Sequence, residues 1–206
     1  MPQSPTLLNA LALQGQHYNV AAVVENPNLI VEIAPYGLAS VVDRDVILVR
    51  DGINFTCLAG DQLSGGLCGV QIPDPAFGSG PIKDFSQFLQ STPSTDGCNY
   101  TVVAKVPFPL LPPALTAAPP TIDIKRGFVG IDATVRGKTY RFVATHLEQR
   151  VLMPEMPETA IYQSVQALEL FGTLLATTPS DRKLILIGDF NSSSEDAGVD
   201  GYHSAL

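Results

Sequence analysis

Lys183-Leu184-Ile185-Leu186-Ile187-Gly188-Asp189-Phe190-Asn191 runs from four consecutive apolar residues into Gly-Asp-x-Asn. An apolar run of that length predicts a strand covered on both faces. Gly, Asp and Asn favour turns, so the polar part alone is a turn signal. A second run ends in a comparable way: Phe142-Val143-Ala144 passes into Thr145-His146-Leu147-Glu148. Between the two, Ile161 to Ala176 has apolar residues at 161, 165, 168, 170, 171, 174 and 175. That spacing predicts an amphipathic crossover helix. Strands that release His, Asp and Asn at their C-terminal ends can build a site on a rigid scaffold.

Working outward, Gly127–Val135 and Tyr140–Thr145 flank Arg136-Gly137-Lys138, which predicts a hairpin. Leu7–Leu13, with Thr6 as its N-cap, predicts a short helix ending at Gly15. Tyr18–Val24, Asp45–Arg50 and Tyr100–Val106 read as strands, the second stopped by Asp51-Gly52. Residues 59–98, rich in Gly, Ser, Pro and Asp, read as an irregular insertion with one helical turn at Phe85–Leu89. Residues 107–120 hold six prolines and read as a rigid extended loop. The order is mixed α and β, without repeats or a second core.

The chain has 206 residues, which suits one domain. With 45% apolar and 16% charged residues it can bury a core. Its net charge of −8 argues against a strongly basic nucleic-acid surface, though not against a nuclease that works through a metal ion. No apolar run is long enough for a transmembrane helix, and no basic leader follows Met1. Cys57 and Cys68, eleven apart, can close a loop and leave Cys98 odd; free thiols are the alternative. No CxxC pair or neighbouring His supports a zinc site. Asn54, Asn99 and Asn191 each open an Asn-x-Ser/Thr triplet.

Thr145-His146-Leu147-Glu148 and Ile187-Gly188-Asp189-Phe190-Asn191 resemble two signature motifs of the endonuclease/exonuclease/phosphatase superfamily, the deoxyribonuclease-like metal phosphodiesterases. Lys125-Arg126-Gly127-Phe128 and Asp43-Arg44-Asp45-Val46-Ile47-Leu48 resemble further segments of it, so the likeness extends from about Leu7 to Asn191. The resemblance implies an α+β fold: a two-sheet β-sandwich flanked by helices, a four-layer αββα arrangement. It implies a divalent-metal-dependent phosphoesterase acting on nucleic acid, a phospholipid or an inositol phosphate. Catalytic residues would be His146, Asp189 and Asn191: Asp189 orients or activates water, Asn191 meets phosphate or metal, and His146 donates to phosphate or leaving group. Arg126 would bind substrate, or be a solvated strand-edge residue. Asp189 and Asn191 would hold Mg²⁺ or Mn²⁺, which suits oxygen and amide donors.

Two of the superfamily's motifs have no counterpart here: an early Gln-Glu whose Glu binds metal, and a terminal Ser-Asp-His. The resemblance thus implies a partial domain, incomplete at both ends, and a weak or inactive chain. Glu148 reads as a surface residue, Gln163 and Gln166 as solvated or packing residues, and His203 as a tail residue. A non-catalytic remnant or binding module is the second reading; a β-rich extracellular domain stapled by Cys57 and Cys68 is the third. The Cys region points weakly to an extracellular or periplasmic location, and no obligate protein partner is expected.

Overall fold

The structure, a computed structural model, describes residues 4–33, 37–64, 96–107, 121–150 and 159–192. The elements are α1 (Ser4–Leu13), β1 (Tyr18–Ile33), β2 (Gly37–Arg50), β3 (Asn54–Leu58), α2 (Gly60–Ser64), β4 (Gly97–Asn99), β5 (Ala104–Pro107), β6 (Thr121–Ile124), β7 (Gly127–Val135), β8 (Lys138–His146), α3 (Thr159–Thr177) and β9 (Lys183–Asp189).

β7 is central to the larger sheet because both its edges are paired. β3 and β4 lie antiparallel on one side and β8 antiparallel on the other; β9 then adds parallel to β8. The β7–β8 hairpin turns at Arg136 (φ 51°) and Gly137 (φ 75°). Two consecutive left-handed residues are what a two-residue hairpin needs to match strand twist. β1 and β2 form a long antiparallel pair of their own, and β5 and β6 a short ribbon.

Alternation along β7 and β8 divides the core in two. Phe128 and Val143 point to one face, where Leu58, Leu63, Leu147, Ala167, Leu170 and Leu174 meet them from β3, α2, the β8 exit and α3. Val129, Ile131, Ala133 and Ala144 point to the other, against Ala21, Ala22, Val24, Ile47 and Val49 of β1 and β2. Each large side chain buried there contributes about 1.5–3 kcal/mol before entropy is counted. The result is α+β: two packed sheets, flanked by helices, as expected.

Several local expectations change. β1 and β2 run well past the segments Tyr18–Val24 and Asp45–Arg50, because the pair continues through bulges at Val20/Ala22 and Glu25/Asn28. α1 begins at Ser4, ahead of the expected N-cap Thr6. Residues 59–98 are not wholly irregular, since α2 falls inside them and β4 begins there; Phe85–Leu89 lies outside the described residues, as do 108–120. Tyr100 sits in a loop between β4 and β5, buried by packing on Phe128 rather than by strand pairing. β9 is not covered on both faces: Leu184 is 36% and Ile187 48% exposed, since β9 has β8 on one edge and no second partner among the described residues. In α3, Ile161, Leu168 and Leu175 face outward; the buried face is Tyr162, Gln163, Gln166, Ala167, Leu170, Thr173 and Leu174. Cys98 is disulfide-bonded and Cys57 is free, which overturns the Cys57–Cys68 pairing; Cys68 lies outside the described residues.

Candidate functional site

The parallel pairing of β8 and β9 puts His146 opposite Asp189. One step earlier, Thr145 faces Gly188, whose φ is 148°. A Cβ at Gly188 would lie 1.9 Å from the Thr145 carbonyl oxygen, so only glycine lets the strands close here. Beyond the last pair, Leu147 N donates to Asp189 O at 3.0 Å. His146 Nε2 then stands 3.9 Å from Asp189 Oδ2, and the Asp189 side chain is 64% exposed.

Asn191 does not continue the strand. Its φ is 48°, in the left-handed region that Asn tolerates better than most residues. Asp189 Oδ1 accepts its backbone N–H at 2.8 Å, and its side-chain amide donates to Leu147 O at 2.8 Å. The i, i+2 rule that sets both side chains on one side of an extended chain therefore does not apply. The two are joined by a turn that ties them to the end of β8.

β2 and the segment before β7 complete the surroundings of His146. Arg126 Nη1 lies 3.2 Å from His146 Nδ1 and 3.4 Å from Asp43 Oδ2, while Arg126 Nη2 lies 3.6 Å from Glu148 Oε1. Asp43 Oδ2 is 3.9 Å from His146 Nδ1. A guanidinium can only donate, so Nδ1 accepts and a neutral ring carries its proton on Nε2, toward Asp189. The Arg126 side chain is 13% exposed, behind His146 rather than out in solvent. Asp45, two residues from Asp43 on the same strand, accepts from Asn26 Nδ2 at 3.0 Å. Burial, the largest influence, raises the Asp45 carboxyl above its usual range; the Asn26 hydrogen bond and the charges of His146 and Arg126 oppose it, and Asp43 reinforces it.

Asp43 and Glu148 thus pair with Arg126, Asp189 approaches His146, and Asp45 feels the charges of both His146 and Arg126. Glu148 is buried, not on the surface, at 4% exposure. Asn26 Oδ1, Arg126 Nε and Glu148 Oε2 are buried without a partner, and so is Ser192 Oγ beside Asn191. A fifth orphan, Thr178 Oγ1, lies apart, just after α3. Buried polar atoms are almost always satisfied, so the paired residues Arg126 and Glu148, each with an unmatched atom, mark a place that another group can complete. Among the described residues no three His, Cys, Asp or Glu side chains converge closely enough to hold a metal ion. The sequence reading missed Asp43, Asp45 and Glu148 as members of this group. Asp43 and Asp45, two apart on a strand, carried the available signal, since that spacing puts both on one face.

No family model matches the chain, and no curated protein matches it. Among solved structures, that of SmcL matches at 18% identity and a TM-score of 0.33, over 55% of this chain. The chain spans about a third (36%) of the length of that structure.

Proposed function

We propose that the strand ends around His146 and Asp189 are a phosphate-ester hydrolysing site of the endonuclease/exonuclease/phosphatase kind. The observation that carries the reading is the facing of His146 Nε2 and Asp189 Oδ2 across paired strand ends. It rests also on the two motifs at those ends. Phosphate-ester hydrolysis needs a positioned water, charge neutralisation and a donor to the leaving oxygen. Asp189, exposed and anionic, orients and deprotonates water. His146, its proton fixed on Nε2 by Arg126, donates to a phosphate oxygen. Asn191 holds the turn that aims Asp189, and Arg126 supplies charge from behind His146.

The carboxylates of Asp43, Asp45, Glu148 and Asp189, set about the His146–Arg126 pair, repel a phosphate unless a cation joins it. Magnesium or manganese dependence is proposed on that charge balance. The described residues do not by themselves form a metal cage. Substrate is proposed at the level of a phosphodiester or phosphomonoester.

The test is turnover of bis-p-nitrophenyl phosphate with and without Mg²⁺. The expected result is slow hydrolysis that His146→Ala or Asp189→Ala lowers by about 100-fold or more. Hydrolysis that survives both substitutions overturns the assignment. A chain that shows neither hydrolysis nor a shift of His146 ring resonances with inorganic phosphate belongs to the remnant reading instead.

A further inference from the structure

Two glutamines on α3, Gln163 and Gln166, are 2% and 0% exposed. They are not solvated residues, and they do more than fill space. Gln163 Nε2 donates to Phe190 O at 2.8 Å and to Asn191 O at 2.6 Å, and its Oε1 accepts from Arg150 Nε at 2.6 Å. Both donors and the acceptor of that amide are in use. Gln166 Oε1 accepts the Glu148 N–H at 2.7 Å, and its Nε2 donates to Val102 O at 3.0 Å. One turn of helix therefore grips the loop after β8 at Glu148 and Arg150, and the loop after β9 at Phe190 and Asn191.

The carbonyls that Gln163 takes belong to the turn whose left-handed Asn191 hydrogen-bonds Asp189 Oδ1. Without Gln163, two part-buried carbonyls lose a donor and that turn loses its outer support. We infer that Gln163, assisted by Gln166, is a positioning residue: it sets the placement of Asp189 against His146 through the Phe190–Asn191 backbone. This deepens the phosphoesterase reading and rests on it for its kinetic part only.

The experiment compares wild-type chain with Gln163→Leu, and with Gln163→Met should the first fail to fold. Two amides report on Asp189 directly: Leu147 N donates to its carbonyl and Asn191 N to its carboxylate. Hydrogen exchange at those amides is expected to quicken by about tenfold or more, while Val143 and Ile185 keep their protection. Where the wild type turns over bis-p-nitrophenyl phosphate, kcat should fall by about tenfold or more with KM unchanged. Unchanged exchange at Leu147 and Asn191, or equal loss across the sheet, overturns the inference. Wild-type inactivity combined with the local exchange pattern removes the phosphoesterase reading and leaves the positioning role standing.

Discussion

The two ends of the β7–β8 pair hold ionic clusters of opposite character. At the hairpin end Asp132 and Arg141 face each other across the strands, with Arg141 Nε 3.0 Å from Asp132 Oδ1 and Nη2 3.1 Å from Oδ2. Arg182, just before β9, also pairs with Asp132, and Arg141 Nη1 donates to Thr177 O at 2.7 Å. A cavity of about 480 Å³ opens there, lined by Thr56, Thr134, Thr139 and these ions. At the other end lie His146, Arg126, Asp43, Asp45, Glu148 and Asp189, of which Arg126 Nε and Glu148 Oε2 are buried and unmatched. The hairpin-end cluster is closed on itself and clamps α3 and β9 to the sheet. The His146 cluster is open by contrast, with Asp189 exposed and two buried polar atoms unmatched.

Substitutions can break or sharpen this contrast. Gly188→Ala should have the largest effect, about 4 kcal/mol of lost stability by urea unfolding, since its Cβ would strike the Thr145 carbonyl. A variant that folds normally would show that β8 and β9 can pair otherwise, and the His146–Asp189 facing would lose its basis. Arg141→Met should cost about 3 kcal/mol, because it leaves a buried carboxylate with one partner fewer. Asp189→Ala, removing an exposed carboxylate, should by contrast leave the unfolding midpoint nearly unchanged. Equal effects at the two ends would abolish the distinction between clamp and site.

Asp45 sharpens it through pH. Its folded carboxyl titrates above the ordinary range because it is buried. In that window the folded chain binds more protons than the unfolded one, so stability falls as pH rises from the usual carboxylate value through the raised one. Asp45→Asn should remove this fall and give a small gain in urea midpoint at pH 7 that disappears near pH 3. A loss at pH 7 would mean that Asp45 is held favourably. The smallest effect concerns Cys57, whose thiol is pushed up to about 11 by burial first and by Asp96 next. Alkylation at pH 8 should run about 100-fold slower than for an ordinary thiol, despite the absence of a disulfide at this residue.

Much of the sheet was legible in the sequence because its signals are local. The β7–β8 hairpin follows from the turn signal Arg136-Gly137-Lys138 between two strand runs, and β9 from its apolar run. The exposure of β9 was not legible, since an apolar run looks the same whether its second edge is paired or open. The outer residues of α3 misled for a related reason: Ile161, Leu168 and Leu175 fit helical spacing yet lie on the face away from the core. Glu148 looked like a surface residue by type, and Gln163 and Gln166 like solvated or packing residues. Their burial depends on backbone groups that come near only once both loops have formed, and composition does not carry that. Asp43 and Asp45 reach His146 across a gap of about a hundred residues, which only the packing of β2 on the larger sheet closes.

Parallel hydrolysis assays of bis-p-nitrophenyl phosphate on the wild type, His146→Ala and Arg141→Met test the central claim most directly. We expect Mg²⁺-dependent turnover that His146→Ala lowers by about 100-fold while its fold is kept, and that Arg141→Met retains at temperatures where it remains folded. Turnover indifferent to His146, or lost only with Arg141, would place the chemistry away from the ends of β8 and β9 and contradict it.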